Sequence, residues 1–213
     1  MNILVIGGTG FVGRYIVEKL LFDNFITLFN RGSDLRAHGF EKQKQMKFQN
    51  CERILGDREI EIDVNRLVTE ILKGPEIECV IDLGFTSNNV MNMVDKLKEI
   101  IPYYVFISSS IVNFLEDEGK MDCGSEEINT SCQYALEKKK SEDYIKLHYP
   151  NNYLIIRPSY IAGKYDDTNR FDYSEYPQNL YFKGDKEPLS FIDGNKMAEQ
   201  IQTHINTKTV GTF

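Results

Sequence analysis

The chain lacks most of the features that would commit it to a specialised class. Its 213 residues include only three histidines and four cysteines, Cys51, Cys79, Cys123 and Cys132, with no Cys-x-x-Cys pair. That spacing gives no reason to expect a metal site or a disulfide framework. Read as reduced, the cysteines make a cytoplasmic location the default. There is no basic excess either, since 25 Lys and Arg stand against 32 Asp and Glu, a net charge of −7. Phosphate backbones call for a basic face, so nucleic acid is disfavoured as the main partner. The short lysine clusters at 41–47 and 138–140 read as solvated surface. No apolar run is long enough for a membrane span, and the N-terminus has no basic region of the kind that opens a signal peptide. Internal repeats and low-complexity linkers are absent.

What is present is ordinary globular composition, 41% hydrophobic and 27% charged, enough for one large domain with an ample core. Apolar runs of strand length occur at Ile3–Ile6, Phe25–Phe29, Arg53–Leu55, Cys79–Leu83, Tyr104–Ser108 and Tyr153–Ile156. Helical periodicity lies between and after them, near Val12–Phe22, Val64–Leu72, Val90–Ile100, Tyr134–Leu147 and Lys196–Ile205. The strands are continuous in apolar character rather than alternating, as in a parallel sheet covered on both faces. This predicts an α/β fold, a doubly wound parallel Rossmann sheet with helices on both faces. Residues 1–213 are expected to form a single nucleotide-binding domain. A polar connection at 33–52 and an irregular Tyr-, Asp-, Asn- and Pro-rich excursion at 164–189 break the rhythm.

The stretch "GGTGFVG" at 7–13 follows the first strand and opens the first helix. In that context Gly7, Gly10 and Gly13 let backbone N–H groups approach a pyrophosphate at a helix N-terminus, without Cβ atoms in the way. The second strand ends in "FNRGS", Asn30 to Ser33, with no carboxylate at its tip. An acid there would bind the adenosine ribose hydroxyls, whereas Arg31 suits a 2′-phosphate. NADP(H) is therefore preferred and NAD(H) is the alternative. After the third strand, Asp57 in "LGDRE" could accept a hydrogen bond from adenine or could cap the next helix.

Tyr-x-x-x-Lys occurs three times, at Tyr15/Lys19, Tyr134/Lys138 and Tyr160/Lys164, and chance alone predicts about one such pair. Only Tyr134/Lys138 lies on a helix downstream of a serine-bearing strand end, "FISSS". Positions four apart share a helix face, so both side chains can serve one site. A nearby ammonium would lower the tyrosine pKa from about 10 towards neutrality. Tyr134 could then exchange a proton with a substrate oxygen while hydride moves to or from a nicotinamide.

Together "GGTGFVG" (7–13), "ISSS" (107–110), "YALEK" (134–138) and "IIRPSYIAG" (155–163) resemble the short-chain dehydrogenase/reductase superfamily. The likeness is to its extended or atypical branch of NAD(P)-dependent epimerases and dehydratases, and it runs through essentially the whole chain. It implies Ser109, Tyr134 and Lys138 as catalytic residues, with Ser110 as the fallback hydroxyl. It implies cofactor contacts from Gly7, Thr9, Gly10, Phe11, Val12, Gly13, Asn30, Arg31, Asp57, Arg58, Leu83, Gly84, Lys138, Pro158 and Ile161. The implied function is an NADP(H)-dependent oxidoreductase or epimerase/dehydratase-like enzyme acting on a small carbonyl or hydroxyl substrate, a nucleotide sugar among them. A homodimer is compatible with this fold. Similarity of "LFNRG", "GDRE" and the "NRFDY…PLSFIDG" segment to a subgroup related to chloroplast RNA-binding proteins keeps a second reading open, a cofactor-binding regulatory or RNA-binding protein with little catalysis. Two departures stand out: Asn113 replaces the tyrosine of the usual Val-Tyr pair, and the chain stops at "VGTF", where relatives continue into a fuller substrate domain.

Overall fold

The computed structural model describes residues 1–32, 51–116, 130–166 and 168–213. Most of the polar connection at 33–52, Ser33, the 41–47 lysine cluster and Cys123 lie outside those residues. Strands β1 (Asn2–Ile6), β2 (Phe25–Asn30), β3 (Glu52–Leu55), β4 (Cys79–Asp82), β5 (Tyr104–Ile107), β6 (Tyr153–Ile156) and the late β11 (Gly211–Thr212) form one sheet. Its order is β11-β6-β5-β4-β1-β2-β3, and every pairing in it is parallel. The chain runs outward from β1 to β3, then returns to β4 on the other side of β1. That reversal opens a crevice beyond the C-terminal ends of β1 and β4, the place where open α/β sheets bind ligands.

The strand sequences explain why both faces are covered. In β1, Ile3 and Val5 pack into one apolar cluster with Ile16, Val17 and Leu20 of α1 (Phe11–Leu20) and with Met197 and Ile201 of the C-terminal helix Gly194–Asn206. Leu4 and Ile6 enter a second cluster with α2 (Glu61–Lys73), α3 (Ser87–Leu97) and Ile145. Helix α2 shows the logic in miniature. Val64, Leu67 and Ile71 form its buried stripe, Glu61 and Asp63 sit at its positive end, and Lys73 at its negative end. Gly74 caps it and Pro75 prevents its continuation.

After β5 come a short 3-10 turn (Ser110–Val112), the single helical turn α4 (Asn113–Glu116) and the long helix α5 (Thr130–His148). Beyond β6 the chain leaves the main sheet. A parallel pair, β7 (Tyr160–Ala162) with β10 (Phe191–Asp193), and an antiparallel pair, β8 (Phe171–Asp172) with β9 (Tyr181–Phe182), surround a small third cluster of Ala162, Phe171 and Leu180. The last helix, α6 (Gly194–Asn206), is N-capped by Asp193, whose side chain accepts from the Asn195 and Lys196 amides.

The six strands and five helices expected from periodicity all form. The short strands β7 to β11 carried no sequence signal of their own. Among them β11 occupies the "VGTF" ending, where Phe213 N donates to Ile155 O at 2.9 Å. One expectation fails. Cys132 is disulfide-bonded, with its partner outside the described residues, while Cys51 and Cys79 are free thiols. Spacing could not reveal this bond, because pairing depends on how close the folded backbone brings two Cα atoms.

Candidate cofactor and active site

The glycine loop is tight for reasons that can be read atom by atom. Gly7 has φ +84°, a left-handed conformation that L side chains rarely adopt. A Cβ on Gly13 would lie 2.6 Å from the Gly8 Cα, so loop and helix can pack only if position 13 is glycine. A Cβ on Gly10, by contrast, would meet nothing closer than the Gly7 carbonyl at 3.9 Å, and would project into open space. Gly10 is also the N-cap of α1 and makes no side-chain capping bond. The first-turn N–H groups of α1 therefore face an open cradle, the arrangement that suits a pyrophosphate.

A cleft of about 1210 Å³ runs from this loop along the strand ends. It is lined by Gly7, Gly10, Phe11, Val12 and Gly13, by Leu83 and Gly84 after β4, and by Ser109, Ser110, Tyr134, Lys138, Pro158 and Ile161. Thr9, Asn30, Arg31, Asp57 and Arg58 do not line it. Asn30 and Arg31 lie at the tip of β2. The Asn30 Oδ1 accepts from Gly32 N at 2.9 Å, and its buried Nδ2 has no partner among the described residues. Such an orphaned donor is costly unless a ligand completes it. Arg31 is largely exposed, 4.0 Å from Asp57 Oδ2. Asp57 does not cap α2, whose N-cap is Ile60; its Oδ1 accepts from Glu59 N in a local turn.

Arg58 departs from expectation. Its guanidinium turns inward, with Nη2 2.7 Å from Oδ1 of the fully buried Asp82. Asp82 also accepts from Gly84 N at 2.7 Å and from Tyr104 OH at 2.6 Å. A Cβ on Gly84 would collide with Arg58 Nη1 at 2.3 Å, so this glycine makes room for the arginine. The pair thereby fixes the end of β4, one wall of the cleft. Arg58 is buried against Asp82 because a carboxylate at 0% exposure needs a cation beside it.

Tyr134 and Ser109 both line this cleft, with the Ser109 side chain close enough to act on the phenol. Phe85 stacks on the Tyr134 ring, 5.2 Å between centroids and 28° between planes. Lys138 lies one turn further along α5 and is 4% exposed. Its Nζ donates to the carbonyls of Gly84 and Ile107, both at 2.7 Å, which ties α5 to the ends of β4 and β5. The other two Tyr-x-x-x-Lys pairs diverge. Lys19 pairs with Glu199 and Lys164 with Glu18.

The electrostatics differ from the sequence expectation. Burial raises the Tyr134 pKa above its ordinary value, and the Ser109 hydrogen bond and the charge of Arg170 offset this only in part. Burial also lowers Lys138 to about 8, with Asp82 pulling it back up and Arg58 pushing it further down. The lysine ammonium is spent on two carbonyls rather than aimed at the phenol, so Tyr134 is a protonated acid at neutral pH and not a phenolate.

A second buried network holds the cluster in place. Glu142, at 0% exposure, accepts from Ser108 Oγ at 2.5 Å and from Arg157 Nε and Nη2 at 2.9 and 2.6 Å. Arg157 in turn donates to Asn113 Oδ1 and to Glu116. The unusual Asn113 is thus an acceptor for the Arg-Pro segment as well as part of the cleft wall.

With this geometry in place, the chain matches the NAD dependent epimerase/dehydratase family over residues 3–181. It belongs to that family. A protein of Methanocaldococcus jannaschii, provisionally named a UDP-glucose 4-epimerase, is 24% identical over 176 residues, 78% of this chain. The match spans 57% of that relative's length. Among solved structures, yeast methylglyoxal/isovaleraldehyde reductase complexed with NADPH superposes with a TM-score of 0.66 and 16% identity, covering 97% of this chain and 74% of the other. UDP-N-acetylglucosamine 4-epimerase from Bacillus cereus gives 0.64 and 19%, covering 100% and 76%. At such identities the likeness is one of fold.

For a member of this epimerase/dehydratase family, the residues that sequence reasoning missed are mostly on the far side of the cleft. Phe85, Phe114, Ser131, Tyr160, Arg170 and Phe182 all line it. They come from loops, from the short helix Asn113–Glu116, from the first turn of α5 and from two- or three-residue strands, where no periodicity or spacing marks a position as facing a ligand. Glu142 carried a usable signal, four residues beyond Lys138 and therefore on the same helix face. No helix among the described residues is long and apolar enough to cross a membrane.

Proposed function

We propose that this chain is an NADP(H)-dependent reductase-type member of its family, reducing a small carbonyl substrate and, in reverse, oxidising the alcohol. The observation that carries the reading is the contact between the Ser109 and Tyr134 side chains in one cleft with the glycine loop, above a buried Lys138 on the same helix. The N-terminus of α1 with Gly10 and Gly13 would hold the pyrophosphate, and the unpartnered Asn30 Nδ2 and neighbouring Arg31 would hold the adenosine ribose and its 2′-phosphate. When bound, the nicotinamide supplies or accepts the hydride. The chain's own residues manage the oxygen. Ser109 hydrogen-bonds and polarises the substrate carbonyl, and protonated Tyr134 gives it a proton. Lys138 holds the strand ends in register and keeps positive potential beneath the oxygen where negative charge develops. Because burial raises the Tyr134 pKa, this proton donation is favoured at neutral pH, while alcohol oxidation needs the phenolate and should accelerate as pH rises.

A second reading, a cofactor-responsive binding protein with little turnover, is favoured by the direction of Lys138 towards carbonyls and away from the tyrosine hydroxyl. Thermal shift with NADPH and NADH, followed by NADPH oxidation against a carbonyl panel, separates the two. The enzyme reading expects a larger shift with NADPH and turnover that Tyr134→Phe abolishes. Stabilisation by NADPH with no Tyr134-dependent turnover would favour the second reading.

A further inference from the structure

The cleft has a charge pattern that the protein as a whole does not share. The chain carries 32 acidic residues, yet no Asp or Glu is among the described residues lining the cleft, which has two cations, Lys138 and Arg170. Lys138 is committed to the Gly84 and Ile107 carbonyls. Among the described residues no hydrogen bond or ion pair engages the guanidinium of the exposed Arg170; it lies over the Phe171 ring, with Cζ 4.6 Å from the centroid, and the Asp166 carboxylate is close enough to feel its charge. Phe171 is 2% exposed and fixed in the third apolar cluster, so it is a firm platform for the planar group and leaves the N–H edge unused. The guanidinium is near enough to Tyr134 for its charge to act on the phenol. Around it the cleft offers hydroxyls, from Ser131, Ser159 and Ser190, and aromatic rings, from Tyr160 and Phe182.

We propose that Arg170 is the substrate-recognition residue, and that the substrate is a short oxyanion-bearing carbonyl compound, a carboxylate or phosphate lying close to the reacting carbon. This rests on the reductase reading above. The oxyanion takes the N–H edge of Arg170 in a two-pronged hydrogen bond, which sets the carbonyl oxygen against Tyr134 and Ser109. The carbonyl carbon then receives hydride from the reduced nicotinamide and the oxygen receives the Tyr134 proton. The C=O bond becomes CH–OH, and the cofactor leaves oxidised. The closeness of Arg170 to Tyr134 keeps anion and reacting carbon together, unlike a nucleotide sugar, in which a diphosphate and nucleoside extend far from the sugar carbon.

The test uses the full chain with NADPH and matched pairs of 2-oxo and 3-oxo acids with their methyl esters, plus a short carbonyl phosphate and a sugar nucleotide. Wild type should prefer acid over ester by at least about tenfold in kcat/KM, and Arg170→Ala should collapse that ratio by about 10- to 100-fold, chiefly through KM, the worth of a charge-assisted hydrogen bond. Arg170→Lys should restore part of it. The acid and phosphate arms tell which oxyanion is taken. An acid-to-ester ratio unchanged in Arg170→Ala, or best turnover with the sugar nucleotide, overturns the proposal. If nothing turns over, the reductase reading fails on its own, and binding of a short dicarboxylate to the NADP⁺-loaded Tyr134→Phe chain decides the Arg170 question. Binding lost in the added Arg170→Ala supports the oxyanion site, and binding that is absent or indifferent to Arg170 refutes it.

Discussion

The two walls of the cleft are built in different ways. The cofactor wall, at the ends of β1 and β4, rests on strands whose residues are almost all at 0–1% exposure, backed by helices on both faces. Its polar groups are locked by buried pairs, Arg58 with Asp82 and Lys138 with two carbonyls. The substrate wall, from 160 to 193, rests on two- and three-residue strands around a cluster of only three buried apolar residues, Ala162, Phe171 and Leu180. Its tyrosines instead reach carboxylates, Tyr173 to Asp166 and Tyr176 to Asp193. Under the proposed function, the chain carries a closely packed frame for the cofactor and a lightly built one for the substrate.

The contrast can be broken or sharpened by experiment. The largest effect should come from Tyr134→Phe, with the carbonyl reduction rate falling by about 10²- to 10⁴-fold, the usual worth of a positioned acid, and NADPH affinity unchanged in a titration. Glu142→Ala should follow. It strands Arg157 and Ser108 under the catalytic helix, and breaking such a buried pair costs about 3–5 kcal/mol, read as a lower urea midpoint. Gly13→Ala forces a Cβ against the Gly8 backbone and should cost about 1–3 kcal/mol while removing the NADPH-induced thermal shift. If Gly13→Ala kept that shift in full, the cofactor wall would be less rigid than its geometry states. On the substrate wall, amides of β8 and β9 should exchange hydrogen through local opening, well before those of β1 and β4. Equal protection in both would erase the comparison.

A smaller, pH-dependent effect isolates Lys138. Its pKa in the folded protein, about 8, lies below that of the unfolded chain, so between these values the unfolded chain binds more protons. Wild-type stability should therefore gain relative to Lys138→Met as pH rises through about 8 towards 10, the unfolded lysine's range. Below pH 8 both states hold the proton, and the difference between the proteins should be flat. Chemical denaturation across this range checks the sign, and a wild type that loses stability relative to Lys138→Met over it would mean that the lysine is not buried as described.

The cofactor wall was legible in the sequence because local chemistry dictates it. Gly7, Gly10 and Gly13 are required by backbone geometry within a few residues, and the spacing of Tyr134 and Lys138 follows from one helix repeat. The pairing of Arg58 with Asp82 was not legible, because Asp82 lies on another strand and no local rule links the two. Tyr134 was expected near neutrality because a lysine four residues away suggests an ammonium beside it. Burial, which depends on what packs around the ring, outweighs that effect.

The sequence by itself determined the α/β alternation and put the glycine loop, Ser109, Tyr134 and Lys138 where all of them line one cleft. Each of these depends on residues close along the chain or on a helix or strand period. Tertiary structure alone decided where Lys138 spends its protons, which carboxylate receives Arg58, and that Arg170 lines the cleft with no hydrogen bond or ion pair among the described residues. Those outcomes turn on distances between residues far apart in sequence and on the loss of water around them.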